Sequence, residues 1–216
     1  MRTICFLCLA ITLVGCGSAP DMHPSQDPAN AIIDPAKIHP STADMQARAA
    51  KQQGKVAPAF ELPDQDGKPQ TLKALASGKP ALIYFVNHDC PCCVTAEPFI
   101  ERLHSALGDR FSLFAIVDAD VATTKAWRER YQFPGTMLAD PTQKTIAAFG
   151  IETAVYQVLV RADGSIDKVY AGYNQASLRD IVQRIVEQTK SDAPKVEFAD
   201  APEKMTAGCT FEGPKS

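Results

Sequence analysis

Three thiols stand within four residues, Cys90, Cys92 and Cys93, in the segment Asn87-His88-Asp89-Cys90-Pro91-Cys92-Cys93. Cys90 and Cys93 have the C-x-x-C spacing, which on a helix sets two sulfurs one turn apart on the same face. A thiol at a helix N-terminus meets unpaired backbone N–H groups and the positive end of the helix dipole. Both favour the thiolate, the attacking form in thiol–disulfide exchange. Cys92 sits about 100° round the helix from Cys93 and so off the reactive face. It is either a buried, inert thiol, a disulfide partner of Cys209, or a relay that passes oxidation to the tail. A protonated His88 would favour the Cys90 thiolate and the carboxylate of Asp89 would oppose it. Glu97, one turn after Cys93, is either a solvated helix carboxylate or a proton-transfer group. A different chemistry also fits this knot. His88, Cys90, Cys92 and Cys93 are ligands suited to a soft ion such as Cu(I), with Cys209 closing the set, although no second C-x-x-C accompanies them as in a zinc site.

The elements that must hold these residues are legible around them. Ala81–Val86 is a continuous apolar run, the pattern of a central strand covered on both faces. The stretch 93–107 has an apolar helical stripe at Phe99, Ile100, Leu103 and Leu107. The segment 111–117 reads as a second buried strand, 122–131 as a helix carrying the single tryptophan, Trp127, and 136–140 as a short strand. Pro141 suits the first turn of a helix running to Phe149. Asp66-Gly67 and Ala162-Asp163-Gly164-Ser165 are hairpin signals, and 176–189 is a closing amphipathic helix. Residues 55–190 form the expected domain, and 191–216 a polar tail carrying Cys209.

The ends of the chain indicate location. Arg2 precedes an apolar run from Ile4 to Val14, too short to span a bilayer, as in a secretory signal peptide. Leu13-Val14-Gly15-Cys16 resembles a bacterial lipobox, which implies a signal peptide over 1–15, cleavage after Gly15 and lipidation of Cys16. Gly17 rather than aspartate follows, which by the sorting rule of that class favours the outer membrane on its periplasmic side. Residues 16–54 are expected to be a proline-rich tether, with room for a short helix near 44–53. Of seven cysteines, Cys5 and Cys8 leave with the signal and Cys16 is acylated. Cys90, Cys92, Cys93 and Cys209 remain in an oxidising compartment, where three pairings stay open. A net charge of −3 gives no electrostatic footprint for nucleic acid.

The order β-α-β-α-β-α-β-β-α, with C-x-x-C at the first strand-to-helix junction, resembles the thioredoxin-like fold, a three-layer α/β/α architecture around a central mixed sheet. It is most similar to the redoxin branch, which includes peroxiredoxins and membrane-tethered periplasmic thioredoxins. Val56-Ala57-Pro58-Ala59-Phe60-Glu61-Leu62, Leu138-Ala139-Asp140-Pro141, Ala148-Phe149-Gly150-Ile151 and 158–166 carry the likeness. The resemblance implies Cys90 as the attacking thiolate and Cys93 as the resolving thiol of an oxidoreductase that exchanges with protein dithiols and disulfides and needs no cofactor. Pro98 matches the proline inside this helix in thioredoxins. Three positions depart from the pattern: Asp89 replaces a tryptophan, Tyr84 a buried aspartate, and Val155 the cis-proline that faces the disulfide and receives substrate. The alternative is a peroxiredoxin-like thiol peroxidase with Cys90 as its peroxidatic thiol. There, however, Ile83 and Asn87 stand in place of the proline and threonine of that family, and its activating arginine has no obvious counterpart.

Overall fold

Six consecutive side chains with no solvent exposure, Ala81–Val86, form strand β4 at the middle of the molecule. Neighbouring side chains of a strand point to opposite faces, so a strand buried at every position is covered on both sides. The computed structural model describes residues 39–214. The expected signal peptide, Cys16 and the first part of the tether lie outside the described residues.

In chain order the elements are β1 (His39–Pro40), α1 (Ala43–Ala50), β2 (Glu61–Pro63), β3 (Pro69–Thr71), α2 (Leu72–Ala76), β4, α3 (Pro91–Leu107) and β5 (Ser112–Val117). They continue with α4 (Val121–Tyr131), β6 (Thr136–Ala139), α5 (Lys144–Ala148), β7 (Gln157–Val160), β8 (Ile166–Tyr170), α6 (Gln175–Thr189) and β9 (Thr206–Ala207). The main sheet runs β6-β5-β4-β7-β8. Strand β4 pairs in parallel with β5 and β5 in parallel with β6, while β4–β7 and β7–β8 are antiparallel. Helices α3 and α6 pack on one another. This is the thioredoxin-like α/β architecture with a mixed sheet that the element order implied.

Both expected hairpins form. β2 and β3 pair around Asp64, whose Oδ1 accepts from the N–H groups of Asp66 and Lys68 at 2.9 Å each. β7 and β8 turn at Gly164, which takes φ 86°, a conformation easy only for glycine. One boundary moves. Helix α5 begins at Lys144 rather than at Pro141, because Asp140 reaches forward and accepts from the N–H groups of Thr145 and Ile146 at 2.9 and 3.0 Å.

The folded body exceeds the limits expected from sequence at both ends. Helix α1 lies inside the expected tether, is capped by Thr42 and packs against β8, and β1 pairs with β9 in the tail. The tail is not a loose polar strand either. Phe198, Ala201, Ala207 and Phe211 are buried, and Arg102 of α3 clamps it. The Arg102 guanidinium donates to the Glu197 carbonyl at 2.8 Å and to both Asp200 carboxylate oxygens at 2.7 and 3.0 Å. It also lies over the rings of Phe99 and Phe198. These apolar anchors are too sparsely spaced to leave a periodic signal, which is why the tail reads as polar in sequence.

Candidate active site

The chain leaves β4 into Asn87-His88-Asp89 and enters α3 through Cys90, whose N–H donates to the Asn87 carbonyl at 3.0 Å. Cys90 is the N-cap of α3, with extended φ −86° and ψ 114°, and Pro91 occupies the first helical position. Proline suits that position because its missing N–H would have had no helical acceptor. The extended cap geometry also takes the Cys90 sulfur off the regular helical surface. From there it accepts hydrogen bonds from the thiols of Cys92, Cys93 and Cys209, and from the Cys209 backbone N–H at 3.1 Å.

These four donors stabilise a charge at one atom. The Cys92 and Cys93 thiols are the largest influences, with Cys209 behind them, and against the cost of burial they hold Cys90 far below the ordinary thiol range. The other three thiols move the opposite way. Cys92 is raised by its hydrogen bond to Cys90, by burial and by the adjacent charge. Cys93, with no exposure, is raised first by burial and then by its bond to Cys90. Burial and the bond to Cys90 push Cys209 up to about 12. The surroundings therefore favour charge on Cys90 and disfavour it on the other three thiols.

Cys92 thus differs from its sequence-based placement. The helical wheel puts it off the Cys93 face, but Cys90 is not on the wheel: as a cap residue its sulfur is within reach of both neighbours. Cys209 meets Cys90 through its backbone N–H, and its charge also bears on Cys92. Among the pKa-tuning candidates, His88 and Asp89 turn away from the thiols. His88 Nδ1 and its backbone N–H both bond Asp118 Oδ1, at 2.8 and 2.9 Å, and its Nε2 lies 3.3 Å from the largely exposed Asp89 carboxylate. With both ring nitrogens facing carboxylates, His88 does not complete a ligand set with the cysteines. Among the described residues no cluster of histidine, cysteine or acidic side chains is arranged to hold a metal ion.

Below the thiols the site is dry. Tyr84 of β4 has no exposure, stacks with Phe133 and donates its hydroxyl to the Cys93 carbonyl at 3.1 Å. Its ring oxygen also meets the Cys93 thiol, an interaction that favours the Cys93 thiolate. Glu97 is buried, and neither carboxyl oxygen has a hydrogen-bond partner. Burial first, and the charge of Glu101 second, push its carboxyl up to about 8. The reading of Glu97 as a solvated surface carboxylate is thereby corrected. An apolar surround keeps it a neutral acid that titrates near physiological pH.

Above the thiols lies the segment expected to receive substrate. No peptide bond among the described residues is cis, and Val155 takes φ 68°, a left-handed conformation that a β-branched residue rarely adopts. Three backbone-directed bonds hold it there. Val155 N–H donates to the Phe85 carbonyl at 2.8 Å, the Gln157 amide donates to the Val155 carbonyl at 2.8 Å, and Phe85 N–H donates to the Tyr156 carbonyl at 3.0 Å. The preceding residue, Ala154, turns its backbone to the tail. It donates to the Cys209 carbonyl at 2.8 Å and accepts from Gly208 N–H at 3.0 Å. His39, which the sequence did not single out, also reaches the site, with Nε2 4.0 Å from the Cys209 sulfur. Only the β1–β9 pairing brings it there, and no local pattern signals that pairing.

Comparison with known proteins agrees with this architecture. Residues 53–169 match the AhpC/TSA family. A chloroplastic peroxiredoxin Q of Suaeda salsa is 28% identical over 124 residues, covering 56% of this chain and 58% of that protein. The chain spans about half the length of the curated relatives it matches. Among solved structures, a putative protein disulfide isomerase from Bacteroides thetaiotaomicron superposes with a TM-score of 0.56 at 27% identity, covering 64% of this chain and 91% of that one. A putative thiol:disulfide interchange protein DsbE from Chlorobium tepidum gives 0.55 at 22% identity, covering 63% and 97%, a likeness of fold. The matched segment takes in over half of the chain and contains the strand, the cysteine pair and the Val155 turn; the chain belongs to the AhpC/TSA family.

Proposed function

We propose that this chain is a thiol–disulfide oxidoreductase whose working pair is Cys90 and Cys93. One observation carries the reading: the Cys90 sulfur, at the N-cap of α3, lies in hydrogen-bond reach of the Cys93 thiol one turn along the same helix. Cys90 attacks one sulfur of a substrate disulfide, its S–S bond breaks, and the leaving thiolate takes up a proton. The Cys93 thiol then loses its proton and attacks the Cys90 sulfur. The substrate sulfur leaves, and a Cys90–Cys93 disulfide remains. Tyr84 touches Cys93, and the buried Glu97 carboxyl nearby titrates near 8, so Glu97 supports the reading as the store for the Cys93 proton. All the chemistry is carried by side chains and calls for no cofactor.

The substrates proposed are protein dithiols and disulfides, or a protein redox partner. The location proposed is the periplasmic side of a membrane, with Cys16 as the lipid anchor and the outer membrane as the destination. The short apolar leader, the Leu13-Val14-Gly15-Cys16 segment and Gly17 support this. No helix among the described residues is long and apolar enough to cross a membrane.

The test is reduction of insulin or of oxidised glutathione by the purified chain. Activity that vanishes in Cys90→Ser, and falls in Cys93→Ser with Cys90 left in a disulfide to another sulfur, supports the proposal. Undiminished activity in Cys90→Ser would overturn it. A second reading, thiol peroxidase, is favoured by the peroxiredoxin Q relatives. Its signature is peroxide-dependent sulfenic acid at Cys90 without disulfide exchange. Against it, the leading stabilisers of the Cys90 thiolate are thiols and one backbone N–H, with no arginine among them.

A further inference from the structure

The tail does more than cover the site. Its residues run antiparallel to the loop before Val155. Gly208 N–H donates to the Ala154 carbonyl, Ala154 N–H donates to the Cys209 carbonyl, and Phe211 N–H donates to the Glu152 carbonyl at 2.9 Å, with a further bridge between Thr153 and Thr210. This is β-strand addition made by the chain to itself, and it sets one residue, Cys209, directly against the Cys90 thiolate.

The approach is close and is specified by residue type. A Cβ on Gly208 would lie 2.8 Å from Val155 Cγ2 and 2.9 Å from Ala154 Cβ. A Cβ on Gly172 would lie 2.2 Å from the Thr206 carbonyl oxygen. Upstream, the Arg102 clamp holds 197–200, and downstream Gly213 N–H bonds the Gln143 side chain at 2.8 Å. The strand is thus pinned on both sides of Cys209, and its register is fixed.

We propose that Cys209 is a third redox thiol, the residue that first resolves the Cys90 mixed disulfide before the bond is handed to Cys93. This rests on the exchange reading above. In the first step the Cys209 thiol gives up its proton and attacks the Cys90 sulfur of the Cys90–substrate disulfide. The Cys90–Cys209 bond forms, the Cys90–substrate bond breaks, and the substrate thiolate leaves with the proton. In the second step Cys93 attacks the Cys90 sulfur. The Cys90–Cys93 bond forms, the Cys90–Cys209 bond breaks, and the Cys209 thiolate takes the proton of Cys93. The second step is redox-neutral, and the only oxidant needed is the substrate disulfide. The chemistry divides by position: Cys209, partly exposed at the surface, displaces the substrate from Cys90, while Cys93, fully buried, holds the oxidised product.

The test uses the full chain carrying Cys92→Ser and Cys93→Ser, with oxidised glutathione as the probe and peptide mapping by mass spectrometry as the readout. The proposal expects the peptide bearing Cys90 to be disulfide-linked to the peptide bearing Cys209, with glutathione released. A lasting Cys90–glutathione adduct beside an alkylatable Cys209 overturns this proposal and leaves the exchange reading standing. A parent chain whose Cys90 neither takes up glutathione nor enters any disulfide overturns both. The parent chain gives a second measurement that needs no cysteine substitution. In rapid-quench samples the Cys90–Cys209 link must precede Cys90–Cys93, and a Cys90–Cys93 bond formed with no such precursor contradicts the order. Gly208→Val, which drives side-chain atoms into Ala154 and Val155, is expected to slow formation of the Cys90–Cys209 link by about tenfold or more through lost positioning. An unchanged rate contradicts the role of the strand.

Discussion

Cys90 stands between two unlike half-sites. On the inner side Cys93, Tyr84 and Glu97 come from β4 and α3, regular elements in the core, and all are buried. On the outer side Cys209 and His39 come from short segments near the two ends of the chain, joined by backbone hydrogen bonds and by the two-residue β1–β9 pairing. The inner half is buried in the core and suits storage of a proton and of the buried member of a disulfide. The outer half is held by backbone hydrogen bonds, by the short β1–β9 pairing and by the Arg102 clamp, and it carries the partly exposed thiol of the cluster. The difference separates two tasks within one cluster of thiols: stabilising a charge and exchanging a partner.

The sharpest way to break the comparison removes the atom both halves share. Cys90→Ser is expected to lower insulin or glutathione-disulfide reduction by about a thousandfold or more, since no other thiol in the cluster is held as a thiolate. A residual rate close to the parent would mean that the halves do not converge on Cys90.

The inner half is tested through Glu97. Its folded-state carboxyl titrates at about 8, above its ordinary 4.5, so its contribution to stability is fully present below 4.5 and is lost as pH rises through 8. Glu97→Gln cannot ionise, and it is expected to remove a pH-dependent loss of about 3–5 kcal/mol between those limits, read as urea midpoints across pH. Parallel parent and variant profiles would place the carboxylate in solvent instead.

The outer half is tested by crowding it. Gly172→Ala puts a methyl against the Thr206 carbonyl, and an expected cost of about 2 kcal/mol follows from the clash and from the positive φ of 123°. Hydrogen exchange at the Thr206 amide, which donates to the Tyr173 carbonyl, reports whether the tail is what yields. The smallest effect is expected from Arg102→Ala. The bidentate pair with Asp200 is partly exposed, so its loss with the ring contacts should cost about 1 kcal/mol and loosen the tail before the sheet. If both outer variants leave tail exchange unchanged, the two halves are not separately anchored.

The inner half is also the part the sequence discloses. The apolar run of β4 and the stripe of α3 state their own burial, and the C-x-x-C spacing then locates the reactive pair. The outer half hides for a physical reason. Backbone hydrogen bonds such as Ala154 to Cys209 carry no side-chain signature, and two-residue strands have no period. Cys92 misleads for a related reason, since the helical wheel describes residues inside a helix and Cys90 is a cap outside it. Glu97 is ambiguous in sequence because a carboxylate one turn past Cys93 reads as solvated until its surroundings are known. Val155 is legible only as a missing proline. Its left-handed backbone, which turns Ala154 toward the tail, depends on Phe85 and Gln157, and no local rule predicts those bonds.

The central claim, that Cys90 and Cys93 form the working pair, is tested most directly by a disulfide map of the purified chain, oxidised with glutathione disulfide and then reduced in mild steps. The account predicts a Cys90–Cys93 disulfide as the end product of oxidation and as the first bond to reopen. An oxidised chain in which Cys93 remains a free thiol while Cys90 stays joined to glutathione or to another cysteine would contradict it.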